Sequence, residues 1–317
     1  MTVARTRRWF VERPWIWSFV IALGLWLTIL VVAQGRGGFT VVSAALEFAT
    51  FYVVVGLGQM LVIAAGPGNI DLSIPGVMTF TAYVAMSIMG GGDVGMLQGL
   101  AAGLLVGVAT GAVNAFLIRA VAIPPMIATL ATGFVLHSMA SAYSRLTSAK
   151  PSPMLSDLMA SRLFGIPWTS VIILVVTLVI GQMLLRTTFG RSILAVGQSP
   201  PAAHLSGIRV GPTLVAVYVI SGIFASLAGI MLAVFAGGAS LEMGSDFILM
   251  SIAVVVLGGT AISGGRAVPI GIWGAATLLQ LLVTLLNVLG VANGLRHAIT
   301  GIVIIAVLAI ASGRLRS

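Results

Sequence analysis

Charged residues are scarce in this sequence: only 7% of its 317 residues are Asp, Glu, Lys or Arg, whereas 59% are hydrophobic. Soluble domains carry about 25% charged residues, so the composition excludes an ordinary soluble globular protein. Cysteine is absent as well, which excludes disulfide bonds and thiolate chemistry. We therefore predict an all-α polytopic membrane protein.

The motifs of several enzyme and transporter classes are also missing. The only lysine, Lys150, precedes Pro151, so the chain has no G-x-x-x-x-G-K-[ST] loop for nucleotide phosphates. The three histidines are widely separated and do not form a zinc-hydrolase motif. No cluster of carboxylates lies inside an apolar run, which argues against an ion-coupled secondary transporter. We accordingly predict a chain that has no catalytic residue, binds no cofactor or metal ion itself, and depends on a separate energy source.

The net charge of +9 does not predict nucleic-acid binding, because the arginines lie at the ends of apolar runs and form no continuous basic face. Their positions follow the positive-inside bias of membrane proteins, whose cytoplasmic loops are rich in Lys and Arg. Apolar runs separated by turns predict about ten membrane segments, some short or broken, with both termini in the cytoplasm. The predicted surroundings of these segments are membrane lipid.

The predicted organisation is a single membrane domain between two short tails. Residues 1–14 form a basic cytoplasmic tail, residues 15–311 form the membrane domain, and residues 312–317 form a second cytoplasmic tail. The apolar segments 74–89 and 247–257 are short for a bilayer core of roughly 30 Å, and the sequence leaves open whether they cross it fully.

Two longer polar segments interrupt the predicted spans. Residues 144–168 carry mixed charge, and we predict an irregular periplasmic loop with one short helix around 154–163, suited to an extracytoplasmic partner. Residues 186–211 carry three arginines and a histidine without any acidic residue. This bias predicts a surface loop that faces the cytoplasm.

A third polar segment, GPGNIDLS at 66–73, interrupts the helical pattern where membrane depth is expected. Non-helical backbone at that depth is tolerated only where protein buries it or a water-filled cavity adjoins it. One interpretation is a helix-capping turn, in which Asp71 or Ser73 caps the helix that follows. The other is a hinge near a translocation path. We assign Asp71 to stabilising the break.

Four glycines recur at four-residue spacing on one predicted helix: Gly99, Gly103, Gly107 and Gly111. Small residues at this spacing lie on one face and let two helix backbones approach closely. The stripe predicts helix packing, either inside one subunit, which we favour, or at an interface between subunits.

Four short motifs then occur in order: IDLS at 70–73, PPMIATL at 124–130, FGR…AVG…AAHLSGI at 189–208 and LGGT…SGGR at 257–266. In this order they resemble the membrane permease of ribose-type monosaccharide ATP-binding-cassette (ABC) importers. The resemblance covers residues 44–311, nearly the whole chain. It departs from the family pattern at the first motif, where Gly68 and Asn69 replace the usual glycine pair and Pro75 replaces a small residue.

The resemblance implies a permease of the bacterial inner membrane with a fold similar to that of vitamin B12 importer permeases. It implies a second permease copy or paralogue, giving a homodimer or heterodimer. It also implies a cytoplasmic ATPase that binds ATP and Mg, and a periplasmic substrate-binding protein that delivers the solute. Alternating access driven by the ATPase would then move a monosaccharide, while a polyol, nucleoside or signalling molecule stays open as cargo. The alternative from another class is an ion-coupled secondary transporter.

The cytoplasmic loop gains a specific role from this resemblance. Ser199 can cap a short helix that has Pro200 in its first position, and Gly207 can end that helix in a left-handed conformation. We predict that this is the coupling helix, which presents small side chains to a groove on the ATPase, with Phe189 and Arg191 bracing it. The residues assigned to coupling are Phe189, Arg191, Pro200, Ala202, Ala203, His204, Leu205 and Gly207. The alternative is a helix that lies on the membrane surface with its arginines on anionic lipid.

Six residues are assigned to the broken helix or the translocation path. A sugar path should be lined by modest polar groups, because affinity is expected to reside in the binding protein. The residues are Asn69, Asp71, Ser73, Asn114, Ser251 and Thr260.

Overall fold

Thirteen helices lie in the part of the chain that the computed structural model describes, which comprises residues 15–35, 38–146 and 150–313, with side chains to residue 306. In chain order they are α1 (Ile16–Val32), α2 (Gly38–Ala64), α3 (Ile74–Met89), α4 (Met96–Arg119), α5 (Pro125–Ser144), α6 (Pro153–Ala160), α7 (Trp168–Arg186), α8 (Thr188–Gln198), α9 (Pro200–Leu205), α10 (Val210–Phe235), α11 (Phe247–Leu257), α12 (Pro269–Val288) and α13 (Asn293–Gly313). The predicted tail 1–14 and residues 314–317 of the other tail lie outside the described residues.

Six of the described helices are long and apolar enough to cross a membrane: α2, α4, α5, α7, α10 and α12. Four more are apolar but shorter over their described lengths, namely α1, α3, α11 and α13. The prediction of a polytopic helical membrane protein is therefore confirmed.

The helices α3 and α11 have the bounds that the sequence predicted, 74–89 and 247–257. At 1.5 Å per residue, α11 is about 16 Å long, which is about half of a bilayer core of roughly 30 Å. α11 is therefore too short to cross such a core on its own.

The long helix α10 lies in the centre of the fold and packs along α2, α3 and α4. The predicted glycine stripe forms one of these contacts, because a Cβ atom at Gly107 would lie 2.3 Å from the carbonyl oxygen of Gly222 in α10. Gly111 is equally close to α10, whereas Gly99 lies against α3 and Gly103 contacts both helices. The stripe thus packs inside the chain, where its lack of side chains lets the backbones touch.

The predicted periplasmic loop contains a helix at 153–160 and a short hairpin rather than one helix at 154–163. Strands β1 (Arg162–Leu163) and β2 (Ile166–Pro167) pair antiparallel. Phe164 and Gly165 form the turn between them with positive φ angles of 50° and 81°. A two-residue turn with both central φ angles positive suits the twist of a hairpin, and this geometry ends the helical stretch.

The segment 186–211, predicted as a surface loop with one short helix, is mostly helical and contains a second helix that was not predicted. This helix, α8, precedes the predicted one and is capped by Thr187, whose hydroxyl accepts a hydrogen bond from the N–H of Gly190 (3.0 Å). Ile193 and Val196 are buried on one face, while Arg191 is exposed on the other. The sequence analysis did not predict α8, because it interpreted this segment from its arginines and glycines and not from the amphipathic spacing of its apolar residues.

Candidate functional site

The break between α2 and α3 is the first element of the candidate site. Residues 65–73 are not helical, and Gly66 and Gly68 have φ angles of 148° and 79°. Only glycine adopts such angles without steric cost, which explains the glycines of the GPGN motif. The chain can therefore leave α2 and enter α3 at a different angle.

Asp71 holds this break in place. One carboxylate oxygen accepts hydrogen bonds from the backbone N–H (3.0 Å) and the hydroxyl (2.5 Å) of Ser73. The other accepts a hydrogen bond from the Ser221 hydroxyl of α10 (2.7 Å). Asp71 is buried, so these hydrogen bonds supply the partners that its oxygens cannot obtain from water. Ser73 stands at the N-cap position, but its hydroxyl bonds to Asp71 and not to the helix, so the proposed capping by Ser73 is wrong.

Four further polar side chains reach the break from α2, α4, α5 and α10. The contacts are Gln59 Oε1 with the N–H of Asp71 (3.2 Å), Asn114 Nδ2 with Ser73 Oγ (2.9 Å), Thr129 Oγ1 with the N–H of Leu72 (3.0 Å) and the Tyr218 hydroxyl with Asn69 Oδ1 (3.4 Å). These residues, together with Asp71, Ser73 and Ser221, are called the break cluster below. The break is thus tied to four helices at once.

The break cluster also holds two buried polar atoms without a hydrogen-bond partner in the described part of the chain. These are Nε2 of Gln59 and Oδ1 of Asn114. Unpaired buried polar atoms are rare in native proteins, and each one calls for an explanation such as a functional role or a bound water. Their location in the cluster makes the break the strongest candidate for a moving or solute-contacting part.

The structure brings together four of the six residues assigned to the break or path: Asn69, Asp71, Ser73 and Asn114. Ser251 and Thr260 lie apart from them. The Ser251 hydroxyl donates to the carbonyl oxygen of Ile248 (2.9 Å), and Thr260 Oγ1 accepts from the N–H of Val268 (3.4 Å). Both side chains are buried and satisfy local backbone, so neither joins the break cluster.

Sequence reasoning missed Gln59, Thr129, Tyr218 and Ser221. Each is a polar residue inside a long apolar run, and such residues in membrane helices usually face the protein interior. This rule predicts that these side chains are buried. It does not predict which of the many Ser and Thr residues in apolar runs meet at one place.

The irregular segment between α10 and α11 forms the second element of the site. Residues 236–246 connect α10 to the short helix α11 without regular structure, and Gly244 packs against the first turn of α3, where a Cβ atom would lie 2.6 Å from the carbonyl oxygen of Pro75. Clefts lie on both sides of Ser245. One of about 180 Å³ adjoins α3 and α5 and includes His137 and Glu242. The other, of about 320 Å³, adjoins α2, α11, α12 and α13.

The third element is the pair α8 and α9, which we call the elbow. The Ser199 hydroxyl accepts from the N–H of Ala202 (3.4 Å), Pro200 follows in the first position, and Gly207 ends the turn with φ of 80°. The predicted short helix is therefore present with its predicted caps. Leu205 is 88% exposed, whereas Ala203 is only 4% exposed.

The burial of Ala203 corrects part of the coupling prediction. Ala203 faces its own chain and cannot be presented to a partner, while Ala202, His204 and Leu205 are exposed. The reason is the packing of α9, which turns Ala203 alone toward the chain and leaves the other five residues of the helix exposed. Phe189 is partly buried and, with Gly207, lines a groove of about 410 Å³ between α8 and the start of α10; Arg191 is exposed.

A tight contact of glycines joins the elbow to the break. A Cβ atom at Gly197, near the end of α8, would lie 1.9 Å from the carbonyl oxygen of Ala64 at the end of α2 and 2.4 Å from the nitrogen of Gly265. The Gly265 N–H donates to that same carbonyl (2.9 Å), and Gly264 lies against Gly66. We call this contact the glycine junction. Because these backbone atoms already touch, α8 cannot move further toward α2 without displacing α2 or the 258–268 segment.

On the opposite side of the fold, hydrogen bonds hold the α6 and hairpin segment to the helices. Asp93 accepts from the Ser152 hydroxyl (2.5 Å) and the Met154 N–H (2.9 Å). Arg162 pairs with Glu47 of α2 at 2.7 Å. The carboxylate of Glu47 thus has a basic partner in the hairpin segment.

The two hydrogen bonds to Asp93 hold the pKa of its carboxyl below the usual range. Because the folded pKa lies below the unfolded value of about 3.9, the contact is fully present above that pH and is lost as the pH falls through the folded pKa.

We expect Asp93→Ala to speed amide exchange of residues 152–156 about tenfold at neutral pH, because local opening becomes easier. The control is Asp157→Ala, which removes an exposed carboxylate from α6, the helix whose amide exchange is measured. Equal exchange in the two variants would contradict the role of Asp93.

Comparison with known proteins places this geometry in context. The family model described as "Branched-chain amino acid transport system / permease component" matches residues 41–308. The autoinducer 2 import system permease protein of Photorhabdus luminescens is 29% identical over 297 residues, which is 91% of this chain and 89% of that protein. The ribose import permease protein of Escherichia coli (strain K12) is 30% identical over 310 residues, 94% of each chain. No solved structure matches.

Proposed function

Because the chain belongs to the branched-chain amino acid transport system permease family, we propose that it is the transmembrane permease subunit of an ABC importer that carries a sugar or a related small polar solute. The observation that carries this proposal is the similarity to a ribose import permease over 94% of both chains. The chain is a multi-pass protein of the bacterial inner membrane, and its family consists of permease components that are not themselves catalytic.

The proposal includes an arrangement in the membrane. Ten apolar helices, six long and four shorter, would form the permease in a fold like that of vitamin B12 importer permeases, with both termini and the elbow in the cytoplasm. A periplasmic binding protein would dock on the side of α6 and the hairpin. A second permease, identical or paralogous, would complete the path, and ATP and Mg would bind only to the partner ATPase.

The elbow and the glycine junction support a mechanism. The ATPase would bind the exposed residues of α9. When the ATPase closes upon binding ATP, it would displace α8. Since the glycine junction leaves no space between α8 and α2, that displacement would reach the break directly. The break cluster would then exchange hydrogen-bond partners as α3 changes its angle relative to α2, which reorients the helices along the path.

Transport in reconstituted vesicles tests the function. We expect vesicles that hold the chain in their membrane and the ATPase inside, with a sugar-loaded binding protein outside, to accumulate sugar only when ATP is supplied. D-ribose, D-xylose and D-galactose are the first probes. Uptake that needs a proton or sodium gradient and proceeds without the ATPase would overturn the proposal in favour of a secondary transporter.

Replacement of Leu205 by glutamate tests the elbow. The side chain is almost fully exposed, so the change should not disturb the fold, while a charge in an apolar contact with the ATPase should reduce the amount of ATPase that co-purifies about tenfold. Leu146→Glu is a matched control, because Leu146 is 79% exposed on the other side of the fold. Full retention of the ATPase by the Leu205→Glu variant would place the contact elsewhere.

A further inference from the structure

The larger of the two clefts beside Ser245 combines polar groups that the proposed mechanism does not use. Its polar lining comprises Tyr52, Ser245, Asp246, Arg296, His297 and Thr300, and we call it the outer cleft. Its volume of about 320 Å³ lies within the range of roughly 300–1,000 Å³ that small-molecule sites occupy. Ionisable residues between membrane helices are costly and usually mark a substrate pathway.

The outer cleft offers both acceptors and donors. The carboxylate of Asp246 can only accept, and the guanidinium of Arg296 can only donate. The hydroxyls of Ser245 and Thr300 donate to the carbonyl oxygens of Glu242 (2.6 Å) and Arg296 (2.9 Å). Their oxygens are therefore left to accept from a ligand.

The two charged side chains of the outer cleft, Asp246 and Arg296, form no ion pair with each other. In the described part of the chain, Arg162 and Glu47 form the only ion pair between side chains, so Asp246 and Arg296 share the outer cleft without a mutual bridge. A solute that carries charge of only one sign would satisfy one of these charges and oppose the other. A neutral solute with several hydroxyls satisfies both, because each hydroxyl donates and accepts.

Two contacts hold the lining in position before any solute arrives. The Arg296 guanidinium donates to Oδ1 of Asn287 at the end of α12, which leaves its other N–H groups available. The ring of Tyr52 lies 5.1 Å from that of Phe247, between centroids. Groups fixed in this way lose little conformational entropy when they bind a ligand.

We propose that the outer cleft is a binding subsite for a neutral polyhydroxylated solute on its way through the permease, with Asp246 and Arg296 as its principal hydrogen-bonding groups. This inference rests on the proposed import function and adds a place inside the single chain where the solute is held. The short helix α11 accounts for the position of the outer cleft. Because Phe247, the first residue of α11, packs against Tyr52 in the middle of α2, Asp246 lies partway along the helix bundle, where it can contact the solute.

Uptake by reconstituted vesicles tests this subsite. The variants are Asp246→Asn and Arg296→Gln, and Arg145→Gln is the matched control, because Arg145 is an exposed cation at the end of α5 outside the outer cleft. The probe is whichever of D-ribose, D-xylose and D-galactose the unmodified chain accumulates. We expect the two cleft variants to lower uptake about tenfold, since each replaces a charge-assisted hydrogen bond to the solute by a weaker neutral one. ATP hydrolysis stimulated by the loaded binding protein should stay within about twofold of that of the unmodified chain, because the elbow is intact.

A cysteine variant covers the case in which the charge variants fail to assemble. The chain has no cysteine, so Ser245→Cys can be labelled after reconstitution with a bulky neutral methanethiosulfonate. We expect labelling to block uptake, whereas labelling of Ser161→Cys, on the exposed outer surface, should not. Uptake that survives both the charge changes and the label overturns the subsite alone. Failure of the unmodified chain to accumulate any of the sugars overturns the import function, and the subsite with it.

Discussion

Replacement of Asp71 by alanine is expected to lower the stability of the protein by about 2–5 kcal/mol, because it leaves up to three buried hydrogen-bond donors without their acceptor. The three donors are the N–H and hydroxyl of Ser73 and the hydroxyl of Ser221. The measurement is thermal unfolding of the purified protein in detergent, where we expect Tm to fall by more than about 5 °C.

Two further variants sharpen this experiment. Asp157→Ala removes an exposed carboxylate and should leave Tm unchanged. Asp71→Asn keeps an acceptor oxygen for Ser73 but turns an amide N–H₂ group toward Ser221, so its loss should be smaller than that of alanine. An Asp71→Ala protein with unchanged Tm and transport would show that the break does not need this carboxylate.

Replacement of Gly197 by valine is expected to abolish the link between ATP hydrolysis and transport. Its Cβ atom would overlap the carbonyl oxygen of Ala64, and backbone atoms cannot yield as a flexible side chain can. The helix α8 must then separate from α2. We expect sugar uptake to fall by more than about tenfold while ATP hydrolysis continues, because the surface of α9 that we propose as the ATPase contact is unchanged.

Gly181→Val is the matched control for this prediction. Gly181 lies inside α7 with no atom near its Cβ position, so the variant carries the same change in helix propensity without the overlap. Gly197→Ala introduces the overlapping atom with less bulk, and serves if the valine variant is not produced. Coupled transport at the normal rate in both Gly197 variants would contradict the mechanical role of the glycine junction.

The sequence predicted the parts of this fold that depend on local chemistry. The break at 66–73 was predictable because glycine, proline and Asp71 cannot continue a helix. The bounds of α3 and α11 were predictable for the same reason, since turn residues lie on both sides of each apolar run. The short helix α9 was predictable from Ser199, Pro200 and Gly207, because caps act through neighbouring backbone atoms.

The parts that depend on tertiary contacts were not predictable. Gln59 and Ser221 are 162 residues apart in the chain by their numbers, and only the packing of α2, α10 and the break brings them into one cluster. Ser251 was assigned to the path for its polarity, yet its helix turns it inward against its own backbone. Ala203 was assigned to the coupling face because residues of a short helix cannot be sorted by side from spacing alone.

The uninterrupted length of α2 has a consequence for how the two soluble partners influence each other. This helix has 27 residues and no proline, so it is a stiff rod of about 40 Å. Glu47, in the first half of α2, contacts Arg162 of the outer segment, and Ala64, its last residue, belongs to the glycine junction. In the proposed mechanism, docking of the binding protein and closure of the ATPase would therefore act on two different parts of one rigid helix. If ATP binding tightens or loosens the grip on the binding protein, arrival of the binding protein must change the affinity for ATP by the same factor.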